Sequence, residues 1–130
     1  MFLCLGKIHG FIHPKGELSI VFLPEVSHTN LHIEYLNNPN PTDVITFKGD
    51  EMTASAGEIC VSPHFALKYS NVRDLSFSCE LALYLVHGWL HLAGFDDRDT
   101  AARQKMRDAE KQCLIALEKE SKLPVFQFSP

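Results

Sequence analysis

Two histidines four residues apart, with an aspartate six residues beyond them, are the groups in this chain best suited to chemistry. They lie in the run His87-Gly88-Trp89-Leu90-His91-Leu92-Ala93-Gly94-Phe95-Asp96-Asp97. On a helix, positions i and i+4 are offset by only about 40° around the axis, so both imidazoles project from one face and can share a metal ion. Gly94 stands where helices commonly end in a left-handed residue, and the bend it permits can return the Asp97 carboxylate to the open side of the two rings. His87, His91 and Asp97, with a fourth position left for water, form the donor set of a catalytic zinc site. The plain alternative is two ordinary histidines, one on the core face of a helix and one at its edge. A glycine and a carboxylate at turn-compatible spacing favour the metal.

A buried helix must carry these groups. Leu81, Ala82, Leu83, Tyr84, Leu85 and Val86 precede the histidines, and a helix that is apolar on most sides belongs at the centre of a fold. Burying His87 there is unfavourable unless both ring nitrogens find partners. A metal on one nitrogen and a backbone or carboxylate acceptor on the other would satisfy both. Trp89 points to another face, as packing or as one wall of a cleft. Asp74 or Ser76 caps this helix.

Upstream, Leu18–Leu23 reads as a buried strand after the turn-like His13-Pro14-Lys15-Gly16. Ser27 caps a short helix through about Asn37, with Leu31, Tyr35 and Ile33 facing inward. The prolines of Asn37-Asn38-Pro39-Asn40-Pro41 require a loop. Strands follow at Asp43–Phe47 and Gly57–Ser62, and Pro63 starts a short helix through about Tyr69. Downstream, Asp99 or Thr100 caps a last helix whose Ala102, Met106, Ala109, Cys113 and Leu117 form an apolar stripe that docks on the body. Residues 124–130 read as a loose tail. The sum is a single small α+β domain over residues 1–130, with a mixed sheet of about three to four strands, about four to five helices, and a metal site at the end of the central helix.

With 130 residues, 45% hydrophobic and 22% charged, the chain has the composition of one soluble globular domain. No apolar run approaches the roughly 20 residues that span a bilayer. The opening MFLCLGKIHGFIHP lacks a basic leading region and a cleavage site, so no secretory signal is expected. Cys4, Cys60, Cys79 and Cys113 are scattered among apolar neighbours without a CxxC, which predicts reduced core residues in a cytoplasmic protein. A net charge of −4 argues against indiscriminate nucleic-acid binding. It leaves an RNA substrate open, because a metal ion and a few cations can make one cleft positive on an acidic body.

Other histidines compete poorly. His28 and His32 also have the i, i+4 spacing, but no glycine turn or carboxylate follows, and two partly exposed helix histidines are expected. His64, next to Pro63, is an alternative third ligand ranked below Asp97. His9 and His13 carry no usable pattern.

The spacing HxxxHxxGxxD invites comparison with metalloproteases bearing HExxHxxGxxH or its aspartate variant. Their general base is the glutamate beside the first histidine. Gly88 occupies that position here and can move no proton, which disfavours a zinc peptidase.

The fuller run HGWLHLAGFDD resembles the HGxLHLxGYDH signature of the YbeY family of bacterial endoribonucleases, or rRNA maturation factors. Pro41–Phe47, PTDVITF, is similar to that family's PTDVLSF strand, and Gly57–Ser62, GEICVS, to its GDIVIS strand. Order and separation agree, so the similarity extends over about Leu18–Leu117. The resemblance implies a metal-dependent hydrolase acting on single-stranded RNA, with roles in 16S rRNA 3′-end maturation and ribosome quality control. It implies ribosomal RNA, the small ribosomal subunit and assembly factors as partners, and no membrane. His87 and His91 match the family's first two zinc ligands, and Asp97 stands where the third is a histidine.

Two departures follow from this comparison. Asp97 lowers the net charge of a divalent site from +2 to +1. The site should therefore acidify water less than three imidazoles would, and should tolerate metals that accept oxygen. Leu36 stands where the family carries a functional arginine, and a leucine cannot contact phosphate. Lys48, Arg73 or Arg98 are the cations available to replace it as substrate-binding groups. Asp96 either caps the turn or helps by orienting a ligand or accepting a proton, and Thr46 is expected to line the cleft. The resemblance also implies that the family's first strand is absent or abbreviated within residues 1–17. A binding protein with a structural metal and weak or lost catalysis is the rival that Leu36 and Asp97 favour.

Overall fold

The computed structural model of the chain describes residues 1–6, 16–38 and 42–127. Helix α1 (Phe2–Leu5) leads to strand β1 (Glu17–Phe22), helix α2 (Glu25–Leu36), strands β2 (Val44–Lys48) and β3 (Ser55–Val61), and helices α3 (Pro63–Arg73), α4 (Phe77–Leu92) and α5 (Thr100–Lys119). The α+β class and the three-stranded mixed sheet agree with the sequence reading. Strand β3 is central, parallel to β1 and antiparallel to β2, with Val44 opposite Val61 and Ile20 opposite Ile59. Of residues 1–17, where an absent or abbreviated first strand was expected, 2–5 form α1 and Glu17 opens β1, while 7–15 lie outside the described residues.

Helix α4 lies at the centre, packed against β2, β3, α3 and α5. Leu81, Ala82, Tyr84, Leu85, Val86, Trp89 and Leu90 are all buried, as an all-round apolar helix requires. Trp89 is therefore packing. At Gly88 the helix meets the sheet so closely that an added Cβ would lie 2.7 Å from Ile59 Cγ2 and 3.2 Å from the methyl carbons of Thr46 and Val44. A glutamate has no room there, which removes the general base of the peptidase reading on steric as well as chemical grounds.

Caps set the helix boundaries. Ser76 Oγ accepts from Cys79 N at 3.0 Å and Asp99 Oδ1 from Ala102 N at 2.8 Å, which decides both alternatives left open by the sequence. Asp74 instead ends α3 in a left-handed conformation. Met106, Ala109, Cys113 and Leu117 of the α5 stripe are buried, and Leu5 of α1 is fully buried within the same core.

Four expectations need correction. Helix α2 starts at Glu25, after Pro24, rather than at a Ser27 cap. Its inward face is carried by His28 and His32, while Ile33 and Tyr35 are exposed. The Cys60 carbonyl of the central strand lies 2.9 Å from His28 Nε2, and this hydrogen bond compensates one ring nitrogen for burial, while Nδ1 is buried without a partner among the described residues. Cys79 is exposed, whereas Cys60 and Cys113 are buried, and the described cysteines form no disulfide. Burial, with Glu58 beside it, pushes the Cys60 thiol up to about 12, so it stays protonated and inert at neutral pH. The tail is docked as far as residue 127: Phe126 N and O both hydrogen-bond to Ser78 Oγ, and its ring meets Phe22 at 6.0 Å.

Burial holds the His28 pKa below its ordinary 6.5, with the charge of His32 acting the same way and the Cys60 hydrogen bond opposing. As pH falls through 6.5 the unfolded chain takes up a proton that the folded chain refuses, so stability is lost on the acid side. Thermal melts of wild type should therefore fall more steeply below pH 6.5 than those of His28→Gln. Parallel pH profiles would contradict this assignment.

Candidate metal centre

The end of α4 is a crossed pair of backbone hydrogen bonds. Phe95 N donates to Leu90 O at 3.0 Å, and Gly94 N donates to His91 O at 3.1 Å. With Gly94 at φ +104°, this is the Schellman termination. A Cβ on Gly94 would touch nothing within 4 Å, so glycine is needed there for its backbone angle alone. The Asp96 Oδ1 atom then accepts from Arg98 N at 3.2 Å, holding the following turn as the plainer of its two expected roles required. Between these two devices the chain reverses, and Asp97 returns over the end of the helix.

The three donors converge. His87 Nε2 and His91 Nε2 are 3.0 Å apart, and Asp97 Oδ2 lies 3.7 Å from the first and 3.9 Å from the second. Tetrahedral zinc with bonds of about 2.0–2.1 Å spaces its ligand atoms about 3.4 Å apart, so these distances describe one slightly open face of such a tetrahedron. The two rings stand nearly perpendicular, at 78°, each aiming Nε2 at the common point. Nitrogen, nitrogen and carboxylate oxygen form a donor set that suits zinc and related divalent ions. His87 and His91 are partly buried, while the Asp97 side chain is 48% exposed, so the site opens to solvent on the aspartate side.

Glu110 of α5, which the sequence reading missed, places Oε1 3.1 Å from His87 Nδ1. Its signal in the sequence was slight: a carboxylate beside Ala109 and three residues before Cys113, at the margin of the buried stripe. His91 has its own hydrogen bond to the Phe95 backbone. Burial pulls both imidazoles down. At His87 the Glu110 hydrogen bond and charge, aided by Asp43 and Asp97, outweigh burial and raise the pKa. At His91 burial and the neighbouring His87 prevail and lower it.

The remaining predicted residues are dispersed. Thr46 packs its methyl under Gly88 beneath the histidine-bearing helix. Arg98 is exposed beside Asp97, and Lys48 is exposed at the end of β2. Arg73 is otherwise engaged: its guanidinium pairs at 3.1 Å with the fully buried Glu80, whose Oε1 also accepts from Tyr84 OH at 3.0 Å. His64 is exposed on the first turn of α3, and the group of three or more metal donors among the described residues is His87, His91 and Asp97. Leu36, the last residue of α2, is 58% exposed.

A family model described as endoribonuclease YbeY matches residues 3–118. The chain belongs to the YbeY family. Relatives named endoribonuclease YbeY include one from Mycobacterium sp. (strain KMS), 34% identical over 115 residues, covering 79% of this chain and 65% of the relative. Another, from Protochlamydia amoebophila, is 37% identical over 107 residues, covering 79% and 71%. This chain thus spans just under two thirds of the length of the mycobacterial YbeY protein. The fold is similar to the solution structure of a Thermotoga maritima protein, with a TM-score of 0.60 and 26% identity, covering 82% of this chain and 71% of that one.

Two variants test the placement of these residues. Gly94→Ala should cost about 1–2 kcal/mol through backbone strain alone, and should weaken zinc binding by more than a surface alanine substitution of equal cost to stability. Retention of full zinc affinity would show that the turn does not set Asp97. Arg73→Ala should lower unfolding free energy by about 1–2 kcal/mol by leaving Glu80 short of a partner, toward the low end because solvent reaches the arginine. An unchanged stability would return Arg73 to the pool of substrate cations.

Proposed function

We propose that this chain is a metal-dependent endoribonuclease that cuts single-stranded RNA. Its substrate class is ribosomal RNA, the 3′ end of 16S rRNA in particular, and its setting is small-subunit maturation and quality control with assembly factors as partners. The observation that carries this reading is the convergence of His87 Nε2, His91 Nε2 and Asp97 Oδ2 within 3.0–3.9 Å at a solvent-open helix end, in a chain of the YbeY family.

A divalent ion held by these three residues, zinc by preference, would polarise a phosphate oxygen and acidify a bound water. The chain's own residues do the rest. His87 and His91 bind through Nε2 with their rings steadied from behind by Glu110 and the Phe95 backbone. Asp97 supplies a carboxylate donor and is half-exposed, so the side of the site it forms is the one open to a substrate. Arg98, next in sequence and exposed, is the nearest cation along the chain for a substrate phosphate. Gly88 keeps the histidine-bearing helix against the sheet, so the groups meet the substrate from a rigid base.

A second reading, an RNA- or ribosome-binding protein whose metal is structural, is favoured by the exposed Leu36 and by the charge that Asp97 removes from the site. Cleavage of single-stranded RNA by nuclease-free protein separates the two. The enzyme reading expects chelator-sensitive cleavage that is abolished in His87→Ala and increased in the double variant Leu36→Arg, Asp97→His. Equal residual cleavage in wild type and His87→Ala would defeat it. RNA binding without cleavage in every variant would establish the second.

A further inference from the structure

We propose that Glu110 is the positioning residue of the metal centre, acting through His87 from a different helix. The contact joins α5 to α4 across 23 residues of sequence at 3.1 Å, and both side chains are largely sheltered, Glu110 being 14% and His87 20% exposed. An ionised carboxylate only accepts hydrogen bonds, so the Nδ1 that faces it must carry the proton. A neutral His87 is thereby fixed in the tautomer whose Nε2 lone pair points at the site, 3.0 Å from His91 Nε2 and 3.7 Å from Asp97 Oδ2. Without Glu110 the ring can place its proton on Nε2, which blocks the ligand atom, and loses the contact that fixes its orientation from behind.

The surroundings of Glu110 fit this role better than that of a surface ion pair. Its neighbour Ala109, and Met106 and Cys113 one turn to either side, are buried in the core. The carboxylate therefore sits where α5 is anchored, and its position is set by packing rather than by a flexible surface rotamer. Shelter from water also strengthens its interaction with the imidazole. A carboxylate behind a metal-binding histidine fixes ring orientation and raises ligand basicity, and its removal typically costs about 10–100-fold in metal affinity. On this account α5 contributes to the site through the fixed way it docks, not through a ligand of its own.

The inference rests on the metal reading of the site but not on RNA cleavage, and its test is read on the metal and on the ring. Zinc affinity is measured by competition with a chromogenic chelator for wild type, Glu110→Gln and Glu110→Ala. The His87 tautomer is measured by ¹⁵N NMR of the metal-free protein. Glu110→Ala should bind zinc about 10–100-fold more weakly. Glu110→Gln, which keeps an oxygen acceptor but no charge, should fall several-fold and lie between the two. Metal-free wild type should show the Nδ1–H tautomer, and Glu110→Ala a shift toward Nε2–H. Affinity in Glu110→Ala within a factor of two of wild type, or an unaltered tautomer, overturns the proposal. Should Glu110→Ala not fold, the near-isosteric Glu110→Gln decides, and undiminished affinity there overturns it equally. A wild type that takes up no zinc overturns this inference together with the metal reading. Zinc bound with the expected ranking but no RNA cut supports it and counts against the enzyme reading alone.

Discussion

Helix α4 lies so close to the sheet at Gly88 that one added carbon would come within 2.7 Å of Ile59 Cγ2, and this approach fixes the orientation of every other residue on the helix. With Gly88 turned to the sheet, His87 and His91 fall about 100° and 60° around the axis to one side. The remaining directions are filled by Leu81, Leu85, Trp89, Leu90 and their neighbours, all buried. The polar side chains of the last turns can therefore emerge only through one narrow sector, between the sheet and α5. Two imidazoles confined to that sector have little choice but to aim at a common point.

The chain reversal at the end of the helix turns that pair into a site. The Schellman bonds at Gly94 and Phe95 stop α4 within one turn of His91, and the Asp96 turn and the Asp99 cap start α5 almost at once. Asp97 sits in the short span between these fixed points, so its carboxylate is delivered by backbone geometry rather than by side-chain packing. It remains half-exposed as a result. Helix α5 then returns along α4 and brings Glu110 behind His87. The same two-helix hairpin thus supplies two of the three converging donor atoms, the turn the third, and the return helix the carboxylate behind His87.

What the sequence disclosed and what it concealed divide along the same line. The spacing of His87, His91, Gly94 and Asp97 was legible because helix periodicity and a glycine stop are local rules. The strands at Val44–Lys48 and Ser55–Val61 were legible because short apolar runs rich in β-branched residues between turns have few other uses. Glu110 was hidden, since its partner lies 23 residues away and the pairing depends on how α4 and α5 cross. His28 and His32 looked like surface residues because nothing nearby in sequence announces the Cys60 carbonyl that lets His28 be buried. Arg73 looked available for substrate because the buried Glu80 that claims it belongs to another helix. In each of these cases the missing information was a tertiary partner.

The central claim is that His87, His91 and Asp97 hold a divalent metal. Elemental analysis of protein purified without added metal, set beside the triple variant His87→Ala, His91→Ala, Asp97→Ala, tests it most directly. The account predicts about one zinc or similar divalent ion per chain in the wild type and none in the folded triple variant. A wild type free of metal and unable to take it up, or a triple variant with unchanged content, would contradict it.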